Sequence, residues 1–166
     1  YCYYNNSNVQ ITWSPETILV RGETSAIENG KWYYTIDEKA ITGDGQYTIP
    51  IALTEGLTNV SGVTEATLTI KHVGTATKQV TLTNFAVINP EGLSYTLLSD
   101  ELIVTLRGPL SMLSYLSDKN VTATIDLSGF KNPSGTVMAP VAISVPPSLA
   151  NHVYEIGNYT MMVKLG

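Results

Sequence analysis

The chain is poor in the residues that most often carry chemistry. It has one cysteine, two histidines and a charged fraction of 14%, well below the roughly 25% usual for soluble domains. A lone Cys2 excludes an internal disulfide and a cysteine-based metal site, and it is expected to be incidental. Nine basic residues against 14 acidic ones give a net charge of -5. That balance supplies no cationic footprint for nucleic acid or for an anionic lipid surface. No apolar run approaches the ~18 residues that cross a bilayer, and no signal peptide stands at the start. Direct membrane insertion by this segment is therefore not expected, and any anchor must lie outside it. No Gly-x-Ser-x-Gly nucleophile elbow occurs either.

What the chain does have is Thr, Val, Ile and Tyr in abundance, a mixture suited to pleated, half-buried strands. It also has the same pattern almost twice. Thr17-Ile-Leu-Val-Arg-Gly22 lines up with Ile103-Val-Thr-Leu-Arg-Gly108, Thr35-Ile-Asp37 with Thr124-Ile-Asp126, Ile49-Pro-Ile-Ala52 with Ala139-Pro-Val-Ala142, and Ile70-Lys71 with Val163-Lys164. The offsets are 86, 89, 90 and 93 residues, in unbroken order. Each copy must then be a small folding unit, and residues 1–75 and 76–166 are the expected domains. With an offset of 86, Tyr1 falls opposite Val87, so the counterpart of the strand at 79–88 would precede this chain. The first module is expected to lack that N-terminal strand and to expose a sheet edge. Such an edge invites pairing with another chain, including self-association of the first module.

Alternation defines the expected strands of the second copy. Gln79 to Ile88 reads as one strand, closed by the turn Asn89-Pro90-Glu91-Gly92. Ser94 to Leu98 and Leu102 to Arg107 read as a hairpin about Ser99-Asp100-Glu101. Pro109 opens a short helical turn in which Leu110, Leu113 and Leu116 recur every three residues. The first copy spans 15 positions from Gly22 to Asp37, where the second spans 18 from Gly108 to Asp126, so its helical turn is expected to be trimmed. Val121 to Asp126 and Trp32 to Asp37 read as matching strands before Gly-rich loops. Tyr47 to Leu53 and Val137 to Val145 each carry a central proline, Pro50 and Pro140, which belongs on an edge or at a bulge. Ala66 to Val73 and Tyr159 to Leu165 are the expected last strands, with Gly74 to Thr77 as the boundary.

Candidate chemistry is thin. Asp37 and Asp126 end matching strands, and their simplest role is to accept backbone N–H groups of the following loops. A carboxylate pair needs proximity, which duplicated modules deny. His72 and His152 do not match in position and have no neighbouring ligand at metal spacing, so they read as surface or strand-end residues. Trp13 and Trp32, with Tyr1, Tyr3, Tyr4, Tyr33 and Tyr34, concentrate the large aromatics in the first copy. They suit a sugar- or protein-binding face or, for the half that points inward, a core; Trp32 reads as packing and Trp13 is open. Four Asn-x-Ser/Thr triplets begin at Asn5, Asn59, Asn120 and Asn158, but a chain this rich in Asn and Thr forms them by chance. No catalytic, cofactor-binding or metal-binding residue is therefore named, and an enzyme is not expected.

The repeated order is a "Ser14-Pro-Glu-Thr17" or "Ser99-Asp-Glu-Leu102" turn, a strand closing in Arg-Gly, a short apolar helical turn, and a strand ending in Asp. A Gly-rich loop and a proline-bearing strand complete it. This resembles the YbbR-like domain, best over residues 77–166 through Leu102-Ile-Val-Thr-Leu-Arg-Gly108, Ile125-Asp-Leu-Ser-Gly129 and Val141-Ala-Ile-Ser-Val-Pro146. The first copy departs by reading Asp37-Glu-Lys-Ala40 where the pattern wants Asp-Leu-Ser-Gly. The resemblance implies an all-β fold with one short helical turn per module, in tandem modules anchored through a membrane segment outside this chain. It also implies display on the extracytoplasmic side of a bacterial membrane and a non-enzymatic role in modulating a membrane diadenylate cyclase, which makes cyclic di-AMP. It carries no site residue and no cofactor. The rival readings are a cell-surface adhesin or cell-wall spacer of immunoglobulin-like modules, and a carbohydrate-binding module or glycosidase fragment supported by the aromatics alone.

Overall fold

Period-two burial runs through this chain wherever a strand forms. In Tyr159–Leu165, Met161, Val163 and Leu165 are buried while Thr160, Met162 and Lys164 are exposed, the signature of a sheet with one face in a core. The computed structural model describes residues 3–30, 34–131 and 134–166. It is all-β with two short helices, and it divides into a smaller unit, Tyr4–Asp37 and Gly43–Val73, and a larger one, Tyr1–Tyr3, Glu38–Thr42 and Gly74–Gly166. The boundary expected between residues 75 and 76 lies here between Val73 and Gly74, and Glu38–Thr42 of the first copy belongs to the larger unit.

The smaller unit contains β1 (Val9–Ser14), β2 (Val20–Gly22), helix α1 (Thr24–Asn29), β3 (Gly45–Pro50), β4 (Leu57–Asn59) and β5 (Glu65–His72). Three strands form an antiparallel sheet in the order β1-β5-β3, and β2 pairs only with β4. Among its described residues, the buried apolar ones are Val9, Ile49, Leu68 and Ile70.

The larger unit holds β6 (Ala76–Leu82), β7 (Phe85–Ile88), β8 (Tyr95–Leu97), β9 (Leu102–Gly108), helix α2 (Leu110–Leu113), β10 (Thr122–Asp126), β11 (Gly135–Ser144), β12 (Tyr154–Ile156) and β13 (Tyr159–Leu165). A five-stranded sheet, β7-β10-β11-β13-β8, and a three-stranded one, β12-β9-β6, share one core of sixteen buried residues. That core draws Val80, Leu82, Val104 and Leu106 from the smaller sheet, and Ala123, Ile125, Met161 and Val163 from the larger. Lys78 closes the end of α2 by donating from Nζ to the carbonyls of Leu113 and Leu116 at 3.0 and 2.6 Å, which satisfies carbonyls a helix leaves without partners. The Tyr159 hydroxyl links the two sheets. It accepts the Thr105 N–H and donates to the Ile156 carbonyl, at 2.8 and 2.6 Å.

The two units repeat one topology. β3 and β5 correspond to β11 and β13, β1 to β8, and β2 and β4 to β9 and β12. In both, the Arg-Gly strand pairs at its arginine with the later short strand: Arg21 opposite Thr58, and Arg107 opposite Tyr154. Pro50 pairs with Glu65 and Pro140 with Thr160. The same ladders place Gly45 opposite Ile70 and Gly135 opposite Leu165, so Ile70 matches Leu165. The likeness of Ile70-Lys71 to Val163-Lys164 is thus two residues out of structural register, the next position that keeps the same face of a strand.

Several expected elements differ. Gln79 to Ile88 is two strands, because the chain leaves one sheet at Thr83-Asn84 and enters the other. Tyr95–Leu97 and Leu102–Gly108 form no hairpin; one pairs with β13 and the other with β6 and β12. Tyr34 to Asp37 is not a strand, and Lys31, Trp32 and Tyr33 lie outside the described residues. Its counterpart β10 is held by β11 on one side and parallel β7 on the other, and the described residues of 4–73 provide no equivalent of β7. Helix α1 is longer than α2, six residues against four, so the shortening falls after the helix. Leu113 and Leu116 are buried, but Leu110 is 72% exposed. Pro50 ends an edge strand, whereas Pro140 sits inside the central strand β11, one residue beyond the point where pairing with β10 ends at Val141. Its missing N–H costs little there.

Candidate functional sites

The Arg-Gly pair that ends the repeated strand is the first place where sequence and geometry meet. A Cβ on Gly108 would lie 2.7 Å from Val153 Cγ2 and 2.9 Å from the His152 carbonyl oxygen, and one on Gly22 would lie 2.5 Å from the Gly56 carbonyl oxygen. Each glycine lets the strand approach the backbone that returns beside it. The arginines, in contrast, have separate fates. Arg21 is exposed, while Arg107 is 3% exposed. The guanidinium of Arg107 donates from Nη1 to the Ile41 carbonyl at 2.8 Å and from Nη2 to the Thr42 carbonyl at 2.7 Å. Around it, a 3-10 turn at Glu38–Ala40 is fastened by an ion pair between Lys39 and Glu155 and by the Gly157 N–H, which donates to the Lys39 carbonyl at 2.8 Å. Ile41 is buried, and Tyr3 stacks on Tyr154 with ring centroids 4.3 Å apart. A planar fork suits two adjacent carbonyls as a point charge does not. The site is an anchor for a strap, and its donors are already used within the fold.

The second cluster surrounds His72 at the end of β5. Its backbone N–H donates to Asp44 Oδ1 at 2.8 Å, its Nδ1 lies 2.9 Å from the same oxygen, and its Nε2 is 2.8 Å from the Tyr4 hydroxyl. With the imidazole neutral, Nδ1–H donates to Asp44 and Nε2 accepts from Tyr4. The His72 side chain is 8% exposed and that of Asp44 58%. The His72 N–H and then the His72 ring, as hydrogen-bond donors, hold the Asp44 carboxyl below the usual carboxylate range, with a smaller contribution from the charge of Lys71. This order of carboxylate, imidazole and hydroxyl resembles a catalytic relay, but the hydroxyl is a phenol. The cluster pins the approach to β1, the approach to β3 and the end of β5 to one another.

The residues singled out from sequence fall as follows. Asp126 ends β10 and accepts the Ser128 N–H at 2.8 Å. Hydrogen bonding from Ser128, through its side chain first and then its backbone, holds this carboxyl below the usual range. Asp37 is exposed in the smaller unit, so the two aspartates are parts of different units. His152 is an exposed turn residue. Trp13, on β1, sits opposite buried Leu68 and so shares the core-facing side of its sheet, although it remains 38% exposed. Trp32, Tyr1, Tyr33 and Cys2 lie outside the described residues. Asn5 and Asn59 accept from the N–H and hydroxyl of the serine two residues on, so these triplets fold as Asx turns. Sequence reading missed the partners of His72 and Arg107 because Asp44, Tyr4 and Ile41 are 28, 68 and 66 residues away. The one available signal was the recurrence of Arg beside Gly. Among the described residues, no group of three or more His, Cys, Asp or Glu comes together as a metal site, and no helix is long and apolar enough to cross a membrane.

Among known proteins, no family model matches the chain and no curated relative matches it. A crystal structure of a YbbR-like protein from Streptococcus pneumoniae TIGR4 is similar at 24% identity with a TM-score of 0.42, over 55% of this chain and 47% of that one. The chain thus spans about half the length of that structure.

Proposed function

We propose that this chain is a non-enzymatic, extracytoplasmic interaction segment of YbbR-like modules that modulates a membrane diadenylate cyclase through its parent protein. The observation that carries the reading is the repeated topology, in which two copies preserve the strand pairing around Arg-Gly and proline while the matching Arg21 and Arg107 differ in burial. Arg107, Asp126 and His72 are all engaged in fastening loops. Duplicated modules of this kind offer surface and spacing. The parent chain carries the anchor, and a protein is the partner.

The test is to delete residues 1–166 from the full-length protein and measure cellular cyclic di-AMP. The reading expects a changed nucleotide level, and an unchanged level contradicts it. The adhesin reading shares the Thr-rich strands, but the parallel pairing of β7 with β10 departs from the antiparallel sheets of immunoglobulin-like modules.

A further inference from the structure

Comparison of matched positions shows that the smaller unit is covered on one side and open on another. Ile49, Leu68 and Ile70 are buried, as are their counterparts Ala139, Val163 and Leu165. Val104 and Leu106, by contrast, are 0% exposed, while their matches Ile18 and Val20 are only half-buried. Ala123 and Ile125 are 0% exposed, yet at the matching positions Tyr34 is 54% exposed and Ile36 half-buried.

The difference has one source. In the larger unit β6 pairs along the whole of β9, setting Val80 opposite Val104, and β7 pairs with β10. Among the described residues of 4–73 there is no counterpart of either strand. The consequence is visible in the backbone: Leu102–Gly108 is a seven-residue strand, whereas in the matching stretch only Val20–Gly22 is a strand, and Leu19 is 67% exposed. Among the described residues the edge of β2 away from β4 has no strand beside it.

We propose that this edge, along which Ile18 and Val20 are only half-buried, is a docking site for an extended polypeptide segment with the pattern of residues 76–88. The segment adds antiparallel to Thr17–Gly22 as β6 does to β9, its position-80 side chain opposite Ile18 and its position-82 side chain also facing inward. Backbone hydrogen bonds give affinity and the alternate apolar side chains give specificity, as in strand addition. A second copy of this chain is a poorer occupant. To lend its own 76–88 segment it must remove Val80 and Leu82 from the core of its larger unit. The proposal stands on the repeated topology and does not depend on the cyclase reading.

The experiment adds a synthetic peptide of residues 76–88 to the intact 166-residue chain and follows backbone amide exchange and chemical shifts by NMR. The expected result is one-to-one binding, with exchange at Ile18 and Val20, whose backbone groups alternate with the β4-facing Leu19, slowed about tenfold or more. The binding should be lost with a peptide carrying Val80→Asp and Leu82→Asp, and weakened in a chain carrying Ile18→Asp. Three results overturn the proposal: no binding at millimolar peptide, shifts confined to residues 102–108 through exchange with the chain's own β6, or equal effects of the doubly substituted peptide. A dimer of the chain that the peptide fails to dissociate, read by sedimentation, also overturns it in favour of a second copy.

Discussion

Single residues in this chain are used for fastening, and each fastener has a measurable cost of removal. Arg107 gives both terminal nitrogens to carbonyls inside a buried site. Replacing it by alanine leaves polar groups without partners, and a loss of about 2–4 kcal/mol in urea unfolding is expected. Arg21→Ala, at the exposed matching position, should stay within about 0.5 kcal/mol. Gly108→Ala places a methyl against Val153 and the His152 carbonyl, and should cost about 1–3 kcal/mol by overpacking. Asp44 supplies the pH test. Its folded pKa lies below the ordinary value because it accepts from His72, so the stability it contributes is full above the ordinary carboxylate range. That contribution is lost as pH falls through the lowered folded value. NMR titration of the Asp44 carboxyl carbon should give a midpoint below the usual aspartate range, and a midpoint at or above it contradicts the assignment. Ser128→Ala should raise the Asp126 midpoint for the same reason.

Elements were legible in sequence to the extent that their pattern is local. Alternation in Tyr159–Leu165 and in Val121–Asp126 marks strands that form with the expected faces inward. Pro109 and the leucines mark a helical turn that does form, although Leu110 points to solvent. Partners were not legible, because two neighbouring strands such as β8 and β9 look the same in sequence whether they pair together or pass to different sheets. Strands β4 and β12, three residues each, are too short to show a period at all. Of the fasteners, only the recurrent Arg-Gly left a trace, since the partners of His72 and Arg107 come from distant loops. The clearest dependence on context is Thr17–Gly22 against Ile103–Gly108, where one motif gives a short strand without β6 and a long one with it. Amide exchange in the chain alone should therefore be faster at Ile18 and Val20 than at Val104 and Leu106, by about a hundredfold or more. Equal protection contradicts the open edge.

At the scale of the whole molecule, one β topology has been used twice with unequal completeness. The larger unit closes two sheets over a core of sixteen buried residues, while the smaller keeps the central ladders and, among the described residues, has no strand on the edge of β2 away from β4. The most direct test of the shared topology is interstrand contact between backbone protons, read by NMR in the intact chain. The account predicts Gly45 opposite Ile70 and Gly135 opposite Leu165, with Arg21 opposite Thr58 and Arg107 opposite Tyr154. A different register in either member of a pair, so that the two units no longer share one ladder, contradicts it.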